Sequence, residues 1–417
     1  MGWNSPFRYA AACAIQAAVV MCVLAHASPA HAQAGTSLAD EPGPVDAEDA
    51  RDAIKLGLAY TGELLSNRSG GLSRDSAYVD NLDLTLAVDS EALFGWPGTE
   101  FFVYGLYNNG SPFSDTIVGD LQVVSNIETG VQAVRLFEAW FRFRLGQHSE
   151  MLVGLYDLNS EFDVLDASQL FIGSAHGIGT DISQAGLNGP SIFPVSALAL
   201  RISKQFNRQW TARAAVLDGV PGDPEDPKAT SIRLSSDEGA LLIGEVERAT
   251  YTDRLLVGAW AYSAKFGADP FGLSQDEITG KRGNFGFYVR GEKTLYVDES
   301  ELSVFGRLGY AHGDFNVFDY FASAGITWRG MLHGRPDDQI GLAFAWAETS
   351  SNVLDLADEL GVGAEPREVI VELTYRAPIS EMIAIQPSVH YVINPGLDPS
   401  LDNALAVGLR FELTLLD

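Results

Sequence analysis

The chain holds two cysteines among 417 residues, Cys13 and Cys22. Both fall in an N-terminal segment with the marks of a secretory signal. Arg8 precedes an apolar run from Ala10 to Ala25, and Ser28-Pro29-Ala30-His31-Ala32 supplies the small residues of a cleavage site after Ala32. Met21 is too large for lipoprotein processing at Cys22. Residues 1–32 are therefore read as a signal peptide, and the exported remainder has no thiol. That excludes a disulfide framework, a thiolate metal site and a cysteine nucleophile. Positive charge is also scarce, with 27 Lys and Arg against 55 Asp and Glu and a net charge of −28. Such a chain has no basic stripe for nucleic acid. Beyond the signal there is no run of about 18 apolar residues, which excludes membrane-spanning helices. An aromatic content of 10 % argues against disorder.

Catalytic signatures are missing as well. The five histidines after the signal (His148, His176, His312, His333 and His390) form no His-Glu-x-x-His pair. There is no Gly-x-Ser-x-Gly elbow, no Walker loop and no EF-hand. The reading is of a non-enzyme with no cofactor, no metal and no catalytic residue; a barrel hydrolase using His312 ranks behind the alternatives given below.

What is present is alternation. Residues 33–53 are rich in Ala, Asp, Glu and Pro and read as a flexible acidic lead-in on the periplasmic side. From residue 54 to 417 the chain is a succession of alternating segments separated by Gly, Asp, Asn, Ser and Pro clusters. In Val369 to Arg376 one parity is Val369, Val371, Leu373 and Tyr375, and the other Ile370, Glu372, Thr374 and Arg376. In Phe137 to Leu145 the apolar parity is Phe137, Ala139, Phe141, Phe143 and Leu145, against Glu138, Trp140, Arg142 and Arg144. A period of two places each set on one face of a strand. A soluble sandwich alternates too, but its strands are commonly about 5–6 residues long, while a tilted strand crossing a bilayer needs about 9–11. Rings near segment ends (Tyr60, Tyr107, Tyr156, Trp210, Tyr310, Trp328, Trp346, Tyr375 and Tyr391) fit interfacial girdles.

Sixteen segments are counted: 54–65, 78–90, 99–108, 136–145, 150–158, 194–206, 209–218, 240–248, 253–265, 284–295, 300–311, 320–329, 337–347, 366–377, 381–393 and 404–415. The fold class is all-β, a transmembrane antiparallel β-barrel of sixteen strands. Links such as Gly146-Gln147-His148-Ser149 and Phe206-Asn207-Arg208-Gln209 are short, whereas residues 159–193 make a connection too long and too apolar to be idle. This loop is expected to fold into the lumen. The acidic runs 223–227, 269–277 and 355–365 read as solvated external loops.

At the long loop the sequence resembles a known family. Gly154-Leu155-Tyr156-Asp157-Leu158-Asn159-Ser160-Glu161-Phe162-Asp163 and Gly189-Pro190-Ser191-Ile192-Phe193-Pro194 resemble the carbohydrate-selective outer-membrane porins, the OprB-like family. So do Ala215 to Pro224, Ile385 to Gly396 and Gly408-Leu409-Arg410-Phe411-Glu412. One departure is the ending Leu415-Leu416-Asp417, where such barrels usually finish on an aromatic residue. The resemblance implies a Gram-negative outer-membrane channel, meeting membrane lipid and lipopolysaccharide on its outer wall, as a monomer or homotrimer.

With the apolar parities toward lipid, the lumen receives Arg142, Arg144, Arg201, Arg213, Arg290, Arg307, Arg376 and Arg410. Beside them stand Glu138, Asp157, Glu292, Glu372 and Glu412, and the rings of Tyr104, Trp140, Trp260, Tyr262 and Tyr288. Guanidinium donors, carboxylate acceptors and flat rings suit neutral polyhydroxy solutes, while phosphate would prefer a purely basic lining. The competing reading is that these charges pair with one another and leave little field. The candidate pore-lining residues are Glu138, Trp140, Arg142, Arg144, Asp157, Glu161, Asp163, Arg376 and Arg410, with Glu161 and Asp163 at a constriction. The function expected is facilitated diffusion of small sugars or polyols, monosaccharides first. An adhesin or structural barrel is the alternative from another class.

Overall fold

A computed structural model describes residues 53–416 apart from Ser236 and residues 267–282 and 298–299. The signal segment, the lead-in through residue 52 and the acidic run 269–277 lie outside the described residues. The first eight strands are β1 Ile54–Ser69, β2 Ser76–Asp89, β3 Thr99–Asn108, β4 Ala133–Arg144, β5 Ser149–Tyr156, β6 Ala197–Gln205, β7 Trp210–Asp218 and β8 Ala240–Ala249. The second eight are β9 Asp253–Tyr262, β10 Phe285–Val297, β11 Ser300–Ala311, β12 Phe318–Arg329, β13 Gln339–Thr349, β14 Arg367–Ser380, β15 Ile383–Ile393 and β16 Ala404–Leu416. Each strand pairs antiparallel with its chain neighbours, and β1 pairs with β16, so the sheet closes into one barrel of sixteen strands. Closure leaves no unpaired edge, which the bilayer demands.

The wall is apolar outside and polar inside. Along β15, Ile383, Ile385, Val389 and Tyr391 are exposed, while Ala384, Gln386, Ser388, His390 and Val392 are buried. Arg201, Arg290 and Arg307 rank among the most completely buried side chains, and leucines such as Leu308 and Leu342 are exposed. A membrane barrel requires this inversion, because its outer face meets hydrocarbon and its inner face encloses the polar groups. Among the described residues no helix is long and apolar enough to cross a membrane, which says nothing of strands.

Connections at the end holding Ile54 and Leu416 are short; those at the other end include 109–132, 157–196 and 219–239. In the short-end link after β2, the helix Ser90–Phe94 is capped by Asp89, whose carboxylate accepts from the amides of Glu91 and Ala92. Gly95 ends it with φ of 67°.

Two expectations are corrected. Phe137 does not face lipid: Tyr104 pairs with Glu138 but Gly105 with Leu136, so Phe137 is the extra residue of a β-bulge. The bulge turns both Phe137 and Glu138 inward, and Phe137 is buried beside Tyr104 and Phe193. Tyr156 belongs to no girdle either. It shares the inward parity of β5 with Glu150 and Leu152, is buried, and donates its hydroxyl to Glu161 at 2.5 Å.

Candidate functional site

The long connection 157–196 lies against the inner wall, gripped by an arginine from each of several strands. Asp163 is fully buried and accepts from Nε of Arg307 at 2.9 Å on both oxygens. The same guanidinium donates to Asp181 at 2.6 Å. Arg290 donates to the carbonyls of His176 at 2.7 Å and Gly177 at 2.8 Å, and also to the carbonyl of Asp163 and the hydroxyl of Ser168. Arg201 holds Glu161 at 2.6 Å, Arg213 holds the Glu161 carbonyl at 2.8 Å, and Arg254 reaches Asp166 at 3.0 Å. A planar fork satisfies two acceptors at once, so arginine rather than lysine can anchor a folded loop at this many points. Gly179 and Gly309 leave the room that the Arg307–Asp181 pair occupies, since a Cβ at either would collide with it.

A second inserted connection, 109–132, covers the inner wall near β14 and β16. Arg410 donates to Glu63 and, at 2.5 Å, to the side-chain Oδ1 of Asn126. Burial pushes the carboxyls of this loop up, Asp120 to about 6 and Glu128 to about 8, although Glu128 accepts the Ser114 amide at 2.7 Å. Burial likewise pushes His176, in the long loop, down to about 3, so it is neutral.

These loops leave one side of the lumen open. The inward residues at the middle of β10, β11 and β13, such as Tyr288, Arg290, Phe305, Arg307, Ala343 and Ala345, are buried, whereas Thr85 and Ala87 of β2, Glu100, Phe102 and Tyr104 of β3, and Arg142 and Arg144 of β4 keep accessible surface. On this side Phe102 stacks on Trp140 with centroids 4.9 Å apart, and Arg142 lies over Trp140 at 4.8 Å. Arg142 also pairs with Glu100 at 3.1 Å. Tyr104 lies edge-on to Phe102 at 6.5 Å, and at its hydroxyl end stands Asp83, whose Oδ1 accepts from that hydroxyl at 2.6 Å and from the Asn81 amide at 2.5 Å. Asn108 in turn donates to Asn81 at 2.7 Å. The chain of donors fixes the carboxylate and leaves Oδ2 without a protein partner among the described residues. At the short-connection mouth a cavity of about 420 Å³ is lined by Lys55, Asp89, Glu91, Glu100, Arg142, Arg144 and Glu150 among others.

The candidate residues thus divide. Arg142 and Arg144 line the open side, and Arg376 lies a third exposed, paired with Glu412 at 2.6 Å. Trp140 is largely covered and supports Phe102 and Arg142. Glu138 is buried, accepting the Asp157 amide at 3.0 Å, and Asp157 caps the turn Leu158–Ser160. Burial and the adjacent Glu138 push the Asp157 carboxyl up to about 8. Glu161 is a quarter exposed and engaged by Arg201; Arg410 is buried against Glu63. Asp163 is a correction: it does not line a constriction, because Arg290 and Arg307 enclose it completely. Reading the sequence left out Phe102, Glu100 and Asp83 as site residues. Asp83 was legible on the polar parity of β2, but in Phe101-Phe102-Val103-Tyr104 both parities are apolar and no periodicity could orient Phe102.

A closed sixteen-stranded barrel, apolar outside and charged within, with loops narrowing its lumen, defines an outer-membrane porin channel. Residues 73–415 match the model of the carbohydrate-selective porin, OprB family, and the chain belongs to that family. Porin B of Pseudomonas aeruginosa is 24 % identical over 399 residues, covering 85 % of this chain and 86 % of that protein. The high-pH structure of Pseudomonas putida OprB superposes with a TM-score of 0.75 at 19 % identity, covering 88 % of this chain and 96 % of that one. The outer-membrane channel DcaP of Acinetobacter baumannii shares the fold more distantly, with a TM-score of 0.54 at 10 % identity, covering 87 % and 97 %. The family and the barrel place the protein in the outer membrane of a Gram-negative bacterium as a channel, and its relatives are not enzymes. His312 sits between the rings of Phe285 and Phe315, accepting the Asp314 amide.

Proposed function

We propose that the channel passes monosaccharides and related polyols by facilitated diffusion, recognising them on its open side. The observation that carries this reading is Asp83. Its carboxylate is aimed by Tyr104 and Asn81 at the head of a track in which the rings of Tyr104, Phe102 and Trp140 follow one another to the Arg142 guanidinium. A pyranose offers hydroxyls that donate to a carboxylate and accept from a guanidinium, and a C–H face that packs on a ring. Weak binding at such a place gives preference without trapping the solute, and no energy source is needed. On this reading residues 1–32 are the export signal and 33–53 a periplasmic lead-in, and lipid and lipopolysaccharide surround the outer wall.

The test is liposome swelling with the refolded protein, comparing glucose, maltose and a neutral amino acid at equal osmolarity. Glucose should enter faster than an amino acid of similar size. Asp83→Asn and Trp140→Ala should raise the concentration at which glucose flux saturates by about fivefold, the scale of one lost ring contact or acceptor. Entry graded by size alone, unchanged in both variants, would leave a general pore.

A further inference from the structure

The wall arginines hold the long loop by its carboxylates and carbonyls, but on β14 the polarity reverses. Glu368 and Glu372, four residues apart on the inward parity, are wall carboxylates that hold loop amides. Both are fully buried. Glu368 accepts the amides of Leu121 and Gln122 at 3.0 and 2.9 Å, from the connection 109–132, and that of Gly396 at 2.7 Å. Glu372 accepts the amides of Ile172 and Gly173 at 2.8 and 2.9 Å, from the connection 157–196. Among the described residues no Arg or Lys forms an ion pair with either; His176 and His390 stand 3.8 and 3.9 Å from Glu372.

The two loops also bond to each other where they are gripped. The Asn126 amide donates to the Ile172 carbonyl at 2.8 Å, and the Ser174 amide to the Val123 carbonyl at 3.0 Å. Gln184 adds a bond from its side chain to the Leu121 carbonyl at 2.6 Å. Next to them, on β15, Gln386 donates to the Leu170 carbonyl at 2.7 Å. The residues between Leu121 and Asn126, and between Leu170 and Ser174, therefore form one inserted unit seated on β14 and β15.

We infer that Glu368 and Glu372 are positioning residues for the channel's size cut-off, holding the two loops as a single insert that keeps the lumen narrow. Neither touches the open side; each acts through the backbone it grips. A carboxylate without a cation partner is suited to this, since its oxygens are free to accept from several amides and are desolvated to no purpose if the loop leaves. Coupling between the loops means that losing one grip leaves the other to hold the insert, so the two losses are not additive. The inference rests on the reading of the barrel as an open channel, and not on which solute it carries.

The experiment measures single-channel conductance in KCl, and the size at which polyethylene glycols cease to reduce it, for the unmodified protein, Glu368→Ala, Glu372→Ala and the double variant. Retention of the barrel is checked by the difference in gel mobility before and after boiling. Each single variant should raise conductance modestly, and the double variant at least threefold, with a larger excluded polymer. Limited proteolysis should cut within 109–132 and 157–196 in the double variant only. Glu368→Gln and Glu372→Gln keep the volume and one acceptor oxygen, and should fall between the unmodified protein and the alanine variants. They also serve if an alanine variant fails to form a barrel. Unchanged conductance and cut-off in the double variant, or in both glutamine variants if alanine is not tolerated, would overturn the inference. The polymer cut-off uses no sugar, so it stands apart from the swelling assay: a channel indifferent to glucose would sink the sugar reading alone.

Discussion

Asp163 shows how much one side chain can organise. It lies in the left-handed region at φ of 58°, its amide donates to Glu245 at 2.9 Å, and its carboxylate is enclosed by Arg290 and Arg307. Removing one member of a buried ion pair leaves the other charge uncompensated, at a cost of about 3–5 kcal/mol. Asp163→Ala should therefore free the middle of the long loop: equilibrium unfolding in detergent or lipid should shift by that amount, and channel current should become noisy. An unchanged unfolding midpoint would show that the pairs contribute nothing net. At this scale the competing reading of the lumen charges proved correct for most positions. Arg201, Arg213, Arg290 and Arg307 are tied to acids or carbonyls, whereas Arg142, Arg144, Glu100 and Asp83 present atoms to the open side.

Among the elements, the strands followed the alternation closely. Segments 99–108 and 300–311 coincide with β3 and β11, and the inward set of β14 is the one read from its polar parity. The bulge at Phe137 escaped because an extra residue changes parity without changing composition. The inserted connection 109–132 escaped for a different reason: its 120–128 segment carries apolar residues that pack on the barrel's interior, with no period to declare it. Its buried carboxyls make a pH prediction. Asp120 and Glu128 have folded values raised to about 6 and about 8, so the packed loop holds protons that the released loop would lose. Their contribution is fully present below the ordinary carboxyl range, near pH 4, and is lost as pH rises through 6 and then 8. Hydrogen exchange at the Ser114 amide, measured from pH 5.5 to 8.5 and corrected for intrinsic rate, should show loosening across that interval. Glu128→Gln should remove the upper part of the dependence; a flat profile in the unmodified protein would refute it.

For the whole molecule the decisive contact is β1 with β16, in register from Leu58–Leu416 to Ser69–Leu405 with two irregularities. It joins residues at opposite ends of the chain, so every other hairpin must form before closure is of use. Without β16 the amides of β1 and β15 would meet hydrocarbon unpaired, which a bilayer does not tolerate. A chain truncated after Asn403 should give no heat-modifiable band on refolding and no conductance, while alanine at the exposed Leu415 should leave both intact. Conductance from the truncated chain would mean that closure can occur by another pairing.

The sequence by itself determined the class of fold, the strand count and the polarity of the wall, because a period of two and strands long enough to cross a bilayer are local properties of the chain. It also determined which residues face inward wherever one parity is polar, since parity needs no knowledge of the partner strand; it could not do so at the Phe137 bulge or at Phe102, where both parities are apolar. Only the tertiary structure decided which inward residues meet the open lumen. Whether Asp163 lines the channel or is sealed against Arg307 depends on where a loop 144 positions away in sequence comes to rest. That is a matter of long-range pairing, and residue type carries the capacity for it but not the address.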